Sequence, residues 1–291
     1  MRIGVVFPQT EIGDDPIAVR DFVQTAEGLG FAHLLCFDHV LGAEHEGRVP
    51  ALTGPYDERH AFHEVFVLLG AVAAWTDHIE LATGVLVLPQ RQTALVAKQA
   101  AEVDLLSNGR LRLGVATGWN HVEYQAMGAP YDRRGALLDE QIEVIRLLWE
   151  QPLVTFEGRF HRIERAGILP RPHRRIPIWF GGSSPVALRR AVRVGDGVCY
   201  SVGPTAEDLA LIESLLRAEG RASETFLVEG RLNYNVGEAQ WEARRLELDG
   251  RGIDRAALNL MGAELGGARQ LIDALGTYAQ RIDLGGPSSD H

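Results

Sequence analysis

Cysteine is almost absent: Cys36 and Cys199 are the only two in 291 residues. Both lie in strand-like runs, so stability does not come from a disulfide framework, and reduced core thiols in a cytoplasmic protein are expected. No apolar run reaches the ~18 residues that a membrane-spanning helix needs. The chain enters a strand at once, at Arg2-Ile3-Gly4-Val5-Val6-Phe7, so a signal peptide is not expected either. Positive charge is also in short supply. A formal net charge of −10 argues against nucleic acid or an anionic membrane as the main partner. The local basic clusters, Arg171 to Arg175 and Arg189, Arg190 and Arg193, read as solvated surface.

Several sequence signals are missing. There are no low-complexity tracts and no repeats with a period of about 20–50 residues. A Gly-x-Ser-x-Gly elbow and an NTPase phosphate loop are lacking, and Gly28-Leu-Gly30 lacks the third glycine of a dinucleotide fingerprint. His60-x-x-His63 with Glu64 does not have zinc-protease spacing and has no cysteine beside it, so no metal site is expected.

What is present is an ordinary apolar fraction, 46%, arranged in alternating strand and helix patterns. The unit from Ile79 to Asn120 organises the rest. Ile79 to Leu88 is an apolar, β-branched strand stopped by Pro89. Gln92 to Ser107 reads as a helix with Leu95, Gln99, Val103 and Leu106 spaced for one face and Asn108-Gly109 as its stop. Leu111 to Ala116 is a second buried strand. Both strands carry Thr-Gly toward the C-terminal edge, where α/β folds place their sites.

Taken in order, strands fall at 2–7, 33–37, 79–88, 111–116, 176–180, 197–201, 226–236 and 257–261. Helices alternate with them at 16–29, 62–75, 92–107, 135–149, 185–194, 205–219, 238–249 and 265–280. Two long loops, 42–60 and 117–133, interrupt the alternation, and 151–175 forms a small excursion with a hairpin about Glu157-Gly158. The tail from Gly285 to His291 reads as loose. Eight strands alternating with eight helices over this length imply one (β/α)8 TIM barrel across 1–291, with loop insertions.

Three groups of residues stand where such a barrel puts chemistry. Asp38-His39 follows a strand end. The histidine can donate to a ring nitrogen or carbonyl while a carboxylate sets its tautomer; otherwise, the pair is a loop-capping Asp beside a surface His. Thr83-Gly84-Val85 and Thr117-Gly118-Trp119-Asn120 put small residues where backbone can approach something flat, or else they are ordinary turns. The strand continues through Gly84, which suggests a bulge. Gly181-Gly182-Ser183 at a helix start offers N–H groups and hydroxyls to an anion, or simply caps the helix.

These residues, with Leu81 to Leu86, Asp104 to Asn120, Arg133-Arg134-Gly135, Phe156-Glu157-Gly158 and Pro177 to Gly197, resemble the luciferase-like flavin and deazaflavin oxidoreductases over nearly the whole chain. The resemblance is greatest to the branch using coenzyme F420, and it implies a reduced ring cofactor at the barrel mouth. Asp38 and His39 would then contact the ring, with His39 as the catalytic donor. Gly84-Val85 would form a bulge behind the ring with a cis peptide, with Thr83 beside it. Thr117 and Gly118, followed by Trp119 and Asn120, would flank it, and Gly181, Gly182 and Ser183 would surround the phosphate. There is one departure: the sugar-phosphate dehydrogenases of that branch carry an acid where this chain has Trp119, so their proton-donor chemistry and substrate are not carried over. The implied function is hydride transfer between F420 and a small organic substrate by a homodimer. Alternatives are an FMN-dependent monooxygenase served by a separate reductase, or a non-catalytic binding protein.

Overall fold

A computed structural model of the protein describes residues 1–282 and residue 284. The tail from Gly285 to His291 lies outside the described residues. The elements run β1 (Arg2–Val6), α1 (Pro16–Gly28), β2 (His33–Cys36), α2 (Val65–Trp75), β3 (Glu80–Thr83), β4 (Leu86–Val87), α3 (Thr93–Leu106) and β5 (Leu111–Ala116). They continue with α4 (His121–Ala126), α5 (Arg134–Glu150), β6 (Val154–Glu157), β7 (Arg162–Ala166), β8 (Ile178–Gly181) and α6 (Pro185–Val194). The chain then adds β9 (Gly197–Cys199), α7 (Ala206–Ala218), β10 (Leu227–Asn233), α8 (Glu238–Gly250), β11 (Arg255–Asn259) and α9 (Ala268–Arg281).

The strands pair in parallel in the order β3-β2-β1-β11-β10-β9-β8-β5-β4, and β3 also pairs with β5. That last pairing closes the sheet. Because β3 and β4 are two halves of one interrupted strand, the result is an eight-stranded parallel barrel surrounded by helices, the TIM-barrel architecture. β6 and β7 form a separate antiparallel pair outside it.

Alternation along each strand sorts the core. Ile3, Val5, Leu34, Leu81, Leu113 and Ile178 face the helices in one apolar cluster, while Val6, Leu35, Ala82 and Ala257 form a small cluster inside the barrel. Below that inner cluster the barrel is ionic rather than apolar. Arg112 donates to Glu80 at 2.7 Å and to Glu229 at 2.6 Å, Arg255 pairs with Glu80 at 2.8 Å, and Arg112 lies 4.2 Å from the centre of the Trp179 ring. His33 Nε2 lies 3.2 Å from Glu229 Oε2, though not aligned as a hydrogen bond. An added Cβ on Gly4 would meet the His33 imidazole, so the small residue makes room for this buried ring.

Four details differ from the sequence reading. Helix α2 starts at Val65 rather than Phe62, because Glu64 caps it by accepting from Val67 N–H at 2.8 Å. The 117–133 stretch contains α4, and β10 stops at Asn233. Helix α3 buries Val96, Ala97, Ala100, Ala101 and Val103, while Leu95 and Leu106 are 51% and 63% exposed. Small alanines let α3 lie close against the barrel, which turns its larger leucines outward.

Candidate functional site

Parallel register brings every strand's C-terminal end to one rim. On that rim Asp38 follows β2 and is buried. One of its oxygens accepts from Arg91 Nη2 at 2.6 Å and the other from Val87 N–H at 3.0 Å. Burial alone would push the Arg91 guanidinium down, but Asp38 and Glu64 hold it above its ordinary value. Asp38 thus ties the end of β2 to the continuation of β3, instead of presenting a free carboxylate.

The interruption between β3 and β4 is the Gly84–Val85 peptide, which is cis. Gly84 N–H donates to Cys36 O at 2.7 Å, and a Cβ on Gly84 would run into Leu35. Thr83 Oγ1 donates to Gly114 O at 2.6 Å. Val85 projects toward β5 and β8, where a Cβ on Gly181 would come within 2.8 Å of its Cγ1. Gly118 has φ +63°, and a Cβ there would lie 2.6 Å from Val87 Cγ1. Glycines at 118 and 181 therefore let strand ends close around the Val87 and Val85 side chains, and Gly84 makes room for Leu35. The structure brings Asp38, Gly84, Gly118 and Gly181 close to one another on this rim.

His39 sits in an aromatic surround. Its ring centre lies 4.9 Å from Phe62, 5.3 Å from Tyr56 and 5.7 Å from Trp119. Its Nδ1 is 3.4 Å from Glu123 Oε2, and its side chain is 11% exposed. Tyr56 arrives from the 42–60 loop, and burial pushes its hydroxyl up to about 12. The same loop packs Gly54 on the Trp119 indole, where any Cβ would collide. That segment therefore covers the mouth.

Glu123 is the residue that sequence reasoning missed. It is fully buried on α4 and accepts from Val40 N–H at 2.5 Å and Gln90 Nε2 at 3.1 Å. Burial pushes its carboxyl up, but the bonds from His39, Val40 and Gln90 outweigh it and hold the group below the usual carboxylate range. A signal for it was available: Asn120 followed three residues later by Glu123 is a helix start with an acid in its first turn. Asn120 Oδ1 accepts from the N–H groups of Val122 and Glu123, so its side chain is committed to that cap. Thr117 O accepts from Tyr124 Oη at 2.6 Å.

The remaining predicted positions lie at the β8–α6 junction. Gly182 has φ +109°, and Ser184 caps α6 through Ala187 N–H at 3.2 Å, leaving Ser183 exposed. His60 bonds Asp57 and His63 bonds Gly13 O, and no metal-binding cluster occurs among the described residues. Nor does any helix among them have the length and apolarity to cross a membrane. A groove of about 800 Å³ lies away from the mouth, between α5, the β6–β7 hairpin and α6.

A closed parallel barrel with small residues and a carboxylate-held histidine at its C-terminal mouth defines an enzyme-type (β/α)8 barrel. The sequence profile of the luciferase-like monooxygenases matches residues 1–281, and the chain belongs to that family. It is 31% identical over 210 residues to an FMNH2-dependent dimethylsulfone monooxygenase of Pseudomonas fluorescens, covering 70% of this chain and 53% of that one. It is 32% identical over 191 residues to an F420-dependent glucose-6-phosphate dehydrogenase of Nakamurella multipartita, covering 65% and 53%. The chain thus spans about half the length of these curated relatives. The crystal structure of riboflavin lyase with modified FMN and riboflavin superposes with a TM-score of 0.79 at 16% identity, covering 100% of this chain and 94% of that one. Both F420-dependent and FMN-dependent proteins are therefore among its relatives.

Proposed function

We propose that this protein is an oxidoreductase that binds coenzyme F420 across the barrel mouth and transfers a hydride between it and a small organic substrate. The observation that carries this reading is the His39–Glu123 pair at the rim. When bound, the coenzyme supplies two-electron hydride chemistry. The chain's own residues do the rest. Glu123 accepts from the Nδ1 proton, so Nε2 donates a hydrogen bond to developing negative charge when the imidazole also carries its second proton. Asp38 works at one remove, holding Val87 and Arg91 in place.

Glycines at 84, 118 and 181 let the rim pack closely, since Cβ atoms there would meet Leu35, Val87 and Val85, and the ring lies on that closed rim. In this reading Thr83, Gly84 and Val85 lie behind the ring, and Thr117, Gly118, Trp119 and Asn120 lie beside it. Gly181, Gly182 and Ser183 take the phosphate, while Tyr56 and Trp119 keep water from the mouth. The enzyme works in the cytoplasm as a homodimer. Val67, Leu95 and Leu106 on the outer faces of α2 and α3 support the dimer, being 72%, 51% and 63% exposed.

A second reading is an FMN-dependent monooxygenase supplied by a separate reductase, and the Pseudomonas relative favours it. Fluorescence titration of the purified protein with F420 and with FMN decides between them. Micromolar binding of F420 with turnover supports the proposal. Oxygen consumption with reduced FMN supports the second reading, and tight binding without turnover on any substrate would leave a non-catalytic binding protein.

A further inference from the structure

The barrel interior holds one cation more than its carboxylates use. Glu80 pairs with Arg255 and Arg112, and Glu229 pairs with Arg112. Arg231 is left over. It projects from β10 on the inward side of the strand, in register with Ala257 of the inner cluster. It is 7% exposed. Its Nε and Nη1 have no hydrogen-bond partner among the described residues, and Nη2 reaches Tyr200 O only at 3.4 Å. Its guanidinium stands 5.5 Å from the centre of the Phe37 ring, two residues before His39.

A buried guanidinium normally has a carboxylate or several acceptors, because removing it from water is costly. Arg231 feels the charge of Glu229 but is bonded to no carboxylate among the described residues, having only a ring contact and one long bond. It also lines a cavity of about 460 Å³ with Asn233, the Val202–Thr205 segment and α8. Arg244 and Arg251, at the far wall, are already bonded to Glu247. The Thr205–Asp208 capping box satisfies the start of α7. Among these groups, Arg231 is the cation with donors to spare.

We infer that Arg231 is the recognition group for a negatively charged, planar substituent of the substrate, a carboxylate, which docks in this cavity and hands the rest of the molecule to the mouth. Planar N–H donors match the two oxygens of a carboxylate. Phe37 offers a flat apolar face beside them. The inference rests on the mouth being the substrate site of an oxidoreductase.

The test uses the full chain and sodium benzoate as probe, with neutral benzamide as control, by isothermal titration calorimetry at low salt. Coenzyme F420 and FMN are titrated in parallel by fluorescence. Benzoate is expected to bind the wild type and benzamide is not. Arg231→Met should weaken benzoate by at least about tenfold, the loss that follows when one partner of a desolvated charged contact is removed, with coenzyme affinity changed by less than about twofold. Arg231→Gln replaces Met if that variant does not fold, judged by circular dichroism. Equal binding of benzoate and benzamide, no benzoate binding to the wild type, or unchanged benzoate binding in the variant would each overturn the inference. A variant that loses the coenzyme overturns it too, because the anion on Arg231 would then belong to the coenzyme. If neither coenzyme binds the wild type while benzoate binding still depends on Arg231, the anion subsite stands and the oxidoreductase reading fails.

Discussion

His39 Nδ1 lies 3.4 Å from Glu123 Oε2. The contact joins the end of β2 to the first turn of α4, and so connects two of the long loops of the barrel. Glu123 also holds the backbone of Val40, directly after His39. One buried carboxylate therefore fixes both the imidazole and the chain that carries it.

Removing that carboxylate should disorder His39 without touching it. Glu123→Gln keeps the shape and the Val40 contact but loses the charge. We expect turnover to fall roughly 10–100-fold, as when an outer-shell partner of a functional histidine is lost, with coenzyme affinity little changed. Glu123→Ala should also cost about 1–3 kcal/mol of stability, because buried donors are left unpaired. Steady-state kinetics and a urea titration measure the two effects. Full activity in Glu123→Gln would show that His39 does not depend on its orienting partner.

His39→Ala removes a donor that acts mainly in the transition state. The rate should drop about 10²–10³-fold, while ring binding weakens far less. Stopped-flow reduction of a working substrate by reduced F420, beside an equilibrium titration, separates the two. Unchanged turnover would return His39 to a purely structural role in its aromatic surround.

The ionic layer should make stability pH-dependent. Burial pushes Glu80 up, but Arg112 and Arg255 hold it at about 2, against an ordinary value of 4.5. Its contribution is complete above 4.5 and is lost as pH falls toward 2. His33 is pushed below its ordinary 6.5 by burial, so the unfolded chain takes up that proton first and stability begins to fall once pH drops below 6.5. Calorimetric Tm should therefore decline from pH 7 to 5 in the wild type and decline less in His33→Gln. A flat Tm over that range in the wild type refutes the assignment. Arg112→Met, which strands Glu229, should cost roughly 3–5 kcal/mol at neutral pH.

Gly118→Ala places a side chain on a backbone with φ +63° and 2.6 Å from Val87 Cγ1. A left-handed non-glycine residue costs about 1–2 kcal/mol, and the clash displaces a residue that Asp38 anchors. Coenzyme affinity should fall together with Tm. If fluorescence titration shows wild-type affinity, Gly118 does not border the ring.

For the homodimer, Val67→Glu combined with Leu106→Glu puts charge on the exposed apolar faces of α2 and α3. Light scattering should give a dimer for the wild type and a monomer for the variant. A wild-type monomer would remove the dimer from the proposal.

The sequence by itself determined the barrel and the rim. Apolar β-branched runs, helical periodicity and the glycine and proline stops are local signals, and Thr-Gly marks a strand interruption at 83–84 and a strand end at 117–118 without reference to any distant residue. Tertiary structure decided what the charged and facing groups do, because a partner across space leaves no local trace. Arg112 and Arg231 look alike along the chain, yet one is bonded to both Glu80 and Glu229 and the other to no carboxylate among the described residues. Asp38, which reads as a ring contact beside His39, is taken up by Val87 and Arg91. Glu123 lies in what reads as loop, and only the folding of α4 onto the end of β2 gives it His39. The buried face of α3 was settled by close packing of alanines on the barrel rather than by the spacing of its leucines.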